Sequence, residues 1–356
     1  MDKRGFRNPG SLCYLIAPLL QTLSYPSVFN ILQSQGEDNN NQLLKMLHNG
    51  LFGDISETAT DDFVLEVWKE FYQQKDGDMH TQRDASEFHS DLMTRLCVDL
   101  KATEFNEKFS ASVLGTMVNI LAEKSGENKL ERPERFFQIS VNVGSSSTGN
   151  NLRASLQDYT KEEIIPFRWS RTVEHASADA AKVLTATLPT AKSTRFRSLP
   201  KHLVFHLKRF RFDVKTMQKV KLHHRFEFPD VLDMAPYMEE TAAAPASFCL
   251  YRLSGVIVHK GKTAYEGHYY SFIRDRDVAT GMESSGESGS WYRYNDHRVE
   301  PATAASMERE SLGGITSKAY VEVTENIGAA VAETETVRHS ARHRSAFMLF
   351  YDRIET

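Results

Sequence analysis

The chain has 356 residues, of which 40% are hydrophobic and 25% charged, with a formal net charge of -4 and a pI of about 6.4. This length supports a large core but exceeds one simple layered domain, so we expect one elaborated domain or two or three lobes. The slightly acidic composition lacks the basic footprint of polyanion-binding proteins, and nucleic acid is therefore not an expected partner.

The hydropathy pattern and the cysteine count narrow the class further. No segment approaches the roughly 18 consecutive apolar residues of a membrane span, and the N-terminus carries no signal-peptide core, so we expect no membrane insertion. The cysteines, Cys13, Cys97 and Cys249, are far apart in sequence and form no spaced pair. This spacing argues against a disulfide scaffold and a thiolate zinc site, and favours a reducing cytoplasmic or nuclear location.

The first hundred residues have helical periodicity. A mostly apolar run over residues 14–23 predicts a helix that begins next to Cys13. A second helix is predicted where Asp84 stands at the N-cap and Glu87 follows three residues later, which resembles a capping box. Its apolar stripe consists of Ala85, Phe88, Leu92 and Leu96.

From about residue 105 the hydrophobic period shortens towards two, which indicates strands. The predicted strands cover residues 136–143, 203–210, 248–259, 268–274, 290–294 and 346–351. Two segments, 275–289 and 302–344, are rich in small and polar residues and are interpreted as surface insertions. Helices followed by a mixed or antiparallel sheet predict the α+β class.

Cys13 is the candidate nucleophile among the cysteines. It follows a Gly-Ser turn at the start of a predicted helix, where we expect an exposed sulfur whose thiolate is stabilised by backbone N–H groups and the helix dipole. Cys97 and Cys249 have apolar neighbours and are predicted to be buried as small hydrophobic residues.

His268 is the best candidate for a general base. It follows Gly267 and opens an aromatic strand, and its imidazole can take a thiol proton and return it to a leaving amine. Gly267 is interpreted as leaving room for a substrate backbone. His259, at the end of another strand, is a weaker candidate.

A base of this kind needs an orienting acceptor, and an acyl-transfer site needs an oxyanion donor. Asn295 is predicted to hold the ring of His268 through its amide oxygen, and Asp296 to share or assist that role. Asn8 is the candidate oxyanion donor. Its alternative role, which spacing alone favours, is to shape the turn before Pro9.

Six ordered motifs resemble those of the ubiquitin-specific proteases, a family of deubiquitinating cysteine peptidases, and the resemblance covers nearly the whole chain. They are Gly5-Phe-Arg-Asn-Pro-Gly-Ser-Leu-Cys13-Tyr, Gln82-Arg-Asp-Ala-Ser-Glu-Phe, Leu199-Pro-Lys-His-Leu-Val-Phe-His-Leu-Lys-Arg-Phe, Gly255-Val-Ile-Val-His-Lys-Gly with Gly267-His-Tyr-Tyr-Ser-Phe, Trp291-Tyr-Arg-Tyr-Asn-Asp, and Phe347-Met-Leu-Phe-Tyr.

The resemblance implies one papain-like catalytic domain over residues 1–356, shaped as thumb (1–110), fingers (mostly 115–200) and palm (201–356, with insertions at 275–289 and 302–344). It implies roles for eight residues: Cys13 as nucleophile, His268 as base, Asn295 as orienting residue, Asn8 as oxyanion donor, Asp296 as accessory, and Asp84, Glu87 and Tyr269 at the channel for the ubiquitin tail.

The activity implied is thiol-dependent hydrolysis, through a thioester, of isopeptide and peptide bonds at the C-terminal glycine of ubiquitin. The implied partners are ubiquitin and ubiquitinated proteins, and no cofactor is needed. Narrow walls near Gly267 and Tyr269 would select a Gly-Gly tail, while acidic groups would pair with its arginines.

The chain departs from the family pattern at two informative places. No cysteine lies between Cys97 and Cys249, so the Cys-x-x-Cys zinc site of many family members is not expected. Leu12 stands where the family prefers Thr, and Pro18 is expected to distort the first helical turn or delay the helix. The altered Cys box leaves one alternative, a ubiquitin-binding pseudoenzyme with a misaligned thiol. A general papain-type protease is a further alternative, which the surrounding motifs disfavour.

Overall fold

The fold is that of a computed structural model. It describes residues 3–35, 41–54, 56–73, 78–99, 104–124, 128–144, 150–173, 182–240, 249–263, 266–276, 290–324 and 332–354. Helices dominate the first part of the chain and sheets the rest, which confirms the α+β class.

A helical lobe is formed by the first six helices of the described residues. They are α1 (Cys13–Leu23), α2 (Pro26–Gln35), α3 (Gln42–Phe52), α4 (Glu57–Tyr72), α5 (Ala85–Thr94) and α6 (Glu104–Val113). Two helices follow later, α7 (Leu152–Thr160) and α8 (Ala304–Ser311).

Helix α1 begins at Cys13 and runs through Pro18 without a break. Its first turn is regular, since the N–H groups of Leu15 and Ile16 both donate to the carbonyl of Leu12, at 2.9 and 3.0 Å. The expectation of a distorted or delayed helix is therefore wrong. Pro18 lies beyond the first turn, and the fully buried surroundings of α1 hold the helix together despite the hydrogen bond that proline cannot donate.

Helix α5 begins where the sequence predicts. Asp84 is its N-cap and accepts hydrogen bonds from the N–H and Oγ of Ser86, at 2.8 and 2.7 Å. The cap therefore acts on Ser86 and not, as a capping box requires, on the backbone of Glu87. The predicted apolar stripe is buried, and a π-helical turn (Arg95–Asp99) continues the helix past Leu96.

The strands of the described residues are β1 (Gly115–Glu123), β2 (Lys129–Phe136), β3 (Ile139–Asn142), β4 (Glu163–Val173), β5 (Lys182–Ser198), β6 (His202–Lys208), β7 (Phe210–Asp213), β8 (Gln218–Lys221), β9 (Val231–Asp233), β10 (Leu250–Lys260), β11 (His268–Arg274), β12 (Trp291–Asn295), β13 (Arg298–Ala302), β14 (Ile315–Thr324), β15 (Ala332–Ala341) and β16 (Arg344–Arg353).

Most of these strands form two sheets. The large sheet has the order β13-β12-β11-β10-β16-β6-β3, with β9 paired to β10, and only its β3–β6 pairing is parallel. The small sheet has the order β2-β1-β5-β4 and is antiparallel throughout. Two hairpins, β7–β8 and β14–β15, stand apart from both sheets.

Helix α1 joins the helical lobe to the large sheet. Gln21 donates from Nε2 to the carbonyl of Phe272 on β11 at 3.0 Å, and Ser271 donates from Oγ to the carbonyl of Ala17 at 3.1 Å. A Cβ at Gly255 on β10 would lie 1.9 Å from Gln21 Oε1, so glycine permits this close approach. The start of α1, with Cys13, is thereby fixed against the sheet.

The segment 302–344 is only partly a surface insertion. Helix α8 packs its Met307 into the core, where that side chain is 3% exposed, and its Glu310 accepts a hydrogen bond from Tyr270 at 2.6 Å. Composition hides this helix because one apolar and one acidic side chain carry the packing. The hairpin β14–β15, by contrast, pairs with no other strand of the described residues. Of the other predicted insertion, residues 277–289 lie outside the described residues.

Among the described residues, no single helix is long and apolar enough to cross a membrane. One bent pair, Cys13–Leu23 with Pro26–Ser34 at 79°, passes by length and composition only.

Candidate active site

Cys13 is the first residue of α1 and lies in a buried environment, with 3% of its surface exposed. Burial raises the pKa of its thiol to about 11, and the carboxylate of Asp296 acts in the same direction. Hydrogen bonds from the backbone N–H of Tyr269, and from those of Tyr14 and Cys13, lower the pKa but do not prevail. The expected exposed, helix-stabilised thiolate is therefore wrong for this form, because loss of solvent outweighs the helix terminus.

His268 and Asn295 meet at one end of the β11–β12 pair. His268 opens β11 and Asn295 closes β12, and His268 Nε2 lies 2.7 Å from Asn295 Oδ1. Because the amide oxygen of Asn295 can only accept, Nε2 carries the proton and Nδ1 of the neutral ring keeps its lone pair. The side chain of His268 is 31% exposed. The two residues predicted as base and orienting residue are thus brought together.

Asp296 follows Asn295 in a left-handed conformation, with φ of 54°. Its Oδ2 lies 3.8 Å from His268 Nε2, farther than the amide oxygen of Asn295. Burial raises the pKa of Asp296, whereas His268 and a hydrogen bond from Asn8 oppose that shift. Its backbone carbonyl accepts from the N–H of Phe6 at 3.2 Å, which ties the N-terminal segment to the site.

Asn8 serves the turn and the site at once. Its Oδ1 accepts from the N–H groups of Gly10 and Leu12, at 3.3 and 3.0 Å, which confirms the turn-shaping role. Its side chain also hydrogen-bonds to Asp296. Because the amide oxygen faces the turn, the amide nitrogen is the atom left to point towards the predicted site.

The three residues predicted at the ubiquitin-tail channel lie near one another. Burial raises the pKa of Tyr269, the nearby carboxylates of Asp84 and Glu87 raise it further, and the backbone N–H of Ala85 lowers it. Tyr269 therefore reaches the start of α5. Glu87 is exposed and Asp84 partly so, but Tyr269 itself is 2% exposed and lies beneath the surface.

Gly267 is required by its own protein neighbours. A Cβ there would lie 2.3 Å from Nε2 of His259 and 2.8 Å from the carbonyl of Lys260. The crowding is thus intramolecular, which the sequence interpretation, based on a passing substrate, did not include. Burial, with smaller contributions from Lys221, His268 and His223, lowers the pKa of His259 to about 3, which removes it as a base candidate.

Comparison with known proteins identifies the family. The sequence model described as Ubiquitin carboxyl-terminal hydrolase matches residues 4–351. The chain belongs to the ubiquitin carboxyl-terminal hydrolase family.

Curated relatives of this family are much longer than the chain. Ubiquitin carboxyl-terminal hydrolase 24 of Homo sapiens is 28% identical over 381 aligned residues, a match that covers 98% of this chain and 14% of that protein. Ubiquitin carboxyl-terminal hydrolase 15 of Saccharomyces cerevisiae is 27% identical, with 99% of this chain and 27% of that protein covered. The chain therefore spans less than a third of the length of these relatives.

Solved structures show the same fold. The SAGA DUB module containing Ubp8, bound to monoubiquitin, matches with a TM-score of 0.68 and 19% identity, covering 99% of this chain and 69% of that one. The same module bound to ubiquitin aldehyde gives a TM-score of 0.67, with 70% of that chain covered.

Within this ubiquitin carboxyl-terminal hydrolase fold, the described residues include no group of three His, Cys, Asp or Glu side chains arranged to hold a metal ion. Sequence reasoning missed one group near the site, the buried Lys221, which donates to three backbone carbonyls. Carbonyl partners leave no trace in a sequence pattern. The one available signal was a lysine closing a short strand ahead of the basic loop.

Proposed function

We propose that this chain is a thiol-dependent deubiquitinase that hydrolyses isopeptide and peptide bonds at the C-terminal glycine of ubiquitin. The observation that carries the proposal is the 2.7 Å contact of His268 Nε2 with Asn295 Oδ1, together with the hydrogen bond from the backbone N–H of Tyr269, the residue after His268, to Cys13. Family membership across residues 4–351 supports the same activity.

The proposed reaction begins with proton transfer from Cys13 Sγ to Nδ1 of His268. The thiol is neutral in the ubiquitin-free form, since burial raises its pKa, and the transfer is completed as the substrate carbonyl is attacked. Asn295 keeps the ring oriented, and the nearby carboxylate of Asp296 stabilises the imidazolium. Asp296 thus opposes a free thiolate but favours the charged base.

The tetrahedral intermediate forms when Sγ bonds to the carbonyl carbon of the ubiquitin glycine. Its oxyanion would accept hydrogen bonds from the amide nitrogen of Asn8 and from a backbone N–H near Cys13. His268 then gives its proton to the departing lysine amine, which leaves a thioester. Water, deprotonated by the same imidazole, hydrolyses the thioester and restores the thiol.

The substrate channel is proposed to run past the start of α5. Asp84 and Glu87 lie near the hydroxyl of Tyr269 there, and their carboxylates suit the arginines of a ubiquitin tail. Tyr269, being buried, would support the channel wall from below. In this proposal the helical lobe is the thumb, the small sheet the fingers and the large sheet the palm, with the division near residues 110 and 200.

The proposed partners are ubiquitin and ubiquitinated proteins, with no nucleic acid, membrane or cofactor. A cytoplasmic or nuclear location is proposed because none of the three cysteines, Cys13, Cys97 and Cys249, forms a disulfide.

The test combines two ubiquitin probes, one with a C-terminal electrophile and one with a fluorescent C-terminal amide. Wild-type protein, Cys13→Ala and a matched control, Cys97→Ala, are compared, since Cys97 is also buried but lies outside the site. Labelling and turnover that are lost only in Cys13→Ala support the proposal. Tight ubiquitin binding without either supports the pseudoenzyme, and cleavage of an unfolded protein lacking a ubiquitin tail supports a general protease.

A further inference from the structure

Lys221, the last residue of β8, is a buried cation with three backbone partners. Its Nζ lies 2.9 Å from the carbonyl oxygen of His259, 3.1 Å from that of Gly261 and 2.9 Å from that of His343. The residue is only 7% exposed. An ammonium group has three donors, so this set of carbonyls uses each of them once. Such a site suits a charged lysine and no neutral side chain of the same length.

The three carbonyls belong to the structure that presents His268. In the β10–β11 ladder, Lys260 pairs with His268 and His259 pairs with Tyr269. His259 and Gly261 flank Lys260, and carbonyls of alternate strand residues point to the same edge. Lys221 therefore binds carbonyl groups on one edge of the end of β10. On the opposite edge, Lys260 pairs with the predicted base, His268. The third carbonyl, of His343, also accepts from the N–H of Gly261 at 2.9 Å.

We propose that Lys221 is a positioning residue for His268 and acts through the backbone of the turn between β10 and β11. The inference rests on the proposed function, because it concerns how the predicted base is held for catalysis. Without the ammonium, all three carbonyl oxygens would lose this donor, and that of His343 would keep the N–H of Gly261. The turn would then shift, and His268, seven residues beyond Gly261 at the start of β11, would lose its set position.

The charged and titratable groups around Lys221 come from four segments of the chain. Arg209, after β6, donates to the carbonyls of Ala346, Leu222 and His224, while His259 lies on β10. His223 and His343 come from the neighbouring turns. Burial lowers the pKa of Lys221 to about 7, and Arg209 acts in the same direction. The three carbonyl bonds oppose this shift, since they favour the charged form.

A neutral amine has two N–H donors and one lone pair, so it leaves one of the three carbonyls without a donor. The turn is consequently held most firmly below the pKa of Lys221. His223 gives weaker support, with Nε2 3.1 Å from the carbonyl of Lys262 and Nδ1 3.2 Å from that of Arg342. Burial and Lys221 lower the pKa of His223, and a neutral imidazole donates to only one of these two oxygens.

The experiment measures kcat and KM for the fluorescent ubiquitin amide between pH 6 and 9 in wild-type protein, Lys221→Met and Lys221→Arg. Lys215→Met, in the exposed turn of the same hairpin, is the matched control. The activity of each variant is expressed as a ratio to that of wild type at the same pH, which cancels pH effects common to all the proteins.

In Lys221→Met we expect kcat to fall by about 10²-fold at pH 6.5 with little change in KM, because a displaced base slows chemistry more than binding. The deficit should shrink as pH rises and wild type loses its ammonium. Lys221→Arg stays charged, so its activity relative to wild type should rise through the same pH range.

Two results would overturn the inference. One is an unchanged kcat in Lys221→Met, and the other is a change in both kcat and KM that is independent of pH and accompanies a lower Tm. If Lys221→Met does not fold, the inference is also overturned when the activity of Lys221→Arg relative to wild type does not change with pH. If the wild-type protein turns over the substrate and either of these results is obtained, only this inference is removed. A folded wild type with neither turnover nor labelling of Cys13 removes the proposed function and, with it, the role of Lys221.

Discussion

Asn295 holds His268 by a 2.7 Å contact between its Oδ1 and the ring Nε2, whereas the carboxylate of the next residue, Asp296, stands 3.8 Å from the same nitrogen. The difference arises from the turn that follows β12. Asn295 is still in the strand, but Asp296 has a φ of 54° and turns its side chain towards Asn8. We therefore propose separate roles for these neighbouring residues, orientation of the ring for Asn295 and charge stabilisation for Asp296.

The first prediction concerns orientation. Asn295→Ala should lower kcat for the fluorescent ubiquitin amide by about 10²-fold, because the ring of His268 loses its acceptor and rotates away from its productive geometry. KM should change little, since Asn295 is not predicted to contact ubiquitin. Asn119→Ala, which removes a partner of Thr194 in the small sheet, is the control for loss of an asparagine contact elsewhere. Equal losses in both variants would contradict the assignment.

The second prediction concerns charge. Asp296→Asn should lower the pKa of Cys13, because the carboxylate is one of the groups that raise it. The measurement is the pH dependence of iodoacetamide alkylation at Cys13, in a background where Cys97 and Cys249 are replaced by alanine. The midpoint should move to lower pH in Asp296→Asn. A midpoint that stays in place or rises would show that Asp296 acts mainly through the imidazolium.

The same variant separates thiol reactivity from catalysis. A lower pKa makes Cys13 react faster with iodoacetamide near neutral pH, yet the imidazolium loses the support of the carboxylate. We therefore expect alkylation to speed up while ubiquitin amide turnover slows down. Turnover that rises together with alkylation would contradict the role proposed for Asp296.

The third prediction concerns Gly267. Gly267→Ala should destabilise the fold by about 1–3 kcal/mol and reduce turnover, because its Cβ would meet the ring of His259. Removing that ring creates space, so His259→Ala should partly rescue Gly267→Ala in a double variant. Urea unfolding and turnover, measured for all four proteins, give the coupling between the two sites. No coupling would mean that the carbonyl of Lys260, and not the ring, is the obstacle.

Local patterns were sufficient for several elements of the fold and failed at specific places. The starts of α1 and α5 and the strand of His268 were predictable because periodicity and an N-cap are properties of neighbouring residues. The burial of Cys13 was not, since it depends on β11, which arrives from more than two hundred residues away. Lys221 was missed for a related reason: its partners are backbone carbonyls, which any residue supplies.

Helix α8 shows the limit of composition. The segment from residue 302 to 344 is rich in alanine and polar residues, yet Met307 fills a position in the core. Glu310 accepts from Tyr270 at 2.6 Å and pairs with Arg293 and Arg344, both at 3.2 Å. An acidic residue counts as surface in a hydropathy profile, so the pattern alone could not place it inside.

The fourth prediction separates the two halves of this segment. Excision of residues 315–341, with a short Gly-Ser link, should leave turnover intact and change stability by no more than about 1 kcal/mol. The ends are already adjacent, since the N–H of Arg342 donates to the carbonyl of Gly314 at 2.8 Å. Met307→Ala should instead cost about 2–5 kcal/mol, as for a large side chain removed from a core. Urea unfolding that ranks the two changes in the opposite order would contradict the division.

The fifth prediction is a loss of stability in acid. His89 lies fully buried, with its Nδ1 3.1 Å from Gln138 Oε1, and burial lowers its pKa to about 4. Above pH 6.5 the ring is neutral in both states and contributes no pH dependence. Below pH 6.5 the unfolded chain takes up a proton that the folded chain refuses until about pH 4, so the free energy of unfolding falls across this window.

The size of the loss for one such histidine is up to about 3 kcal/mol, since each unit of pKa difference corresponds to about 1.4 kcal/mol. Burial also lowers the pKa of His206 to about 4 and that of His259 to about 3, so the wild-type slope should exceed that of one group. His89→Gln should make the free energy of unfolding less dependent on pH between pH 6.5 and 4, by the amount that corresponds to the uptake of one proton. Urea unfolding at several pH values measures this change. His80→Gln, an exposed control, should leave the slope unchanged. A slope that is the same in His89→Gln and wild type would mean that the folded protein opens to protonate His89 well above pH 4.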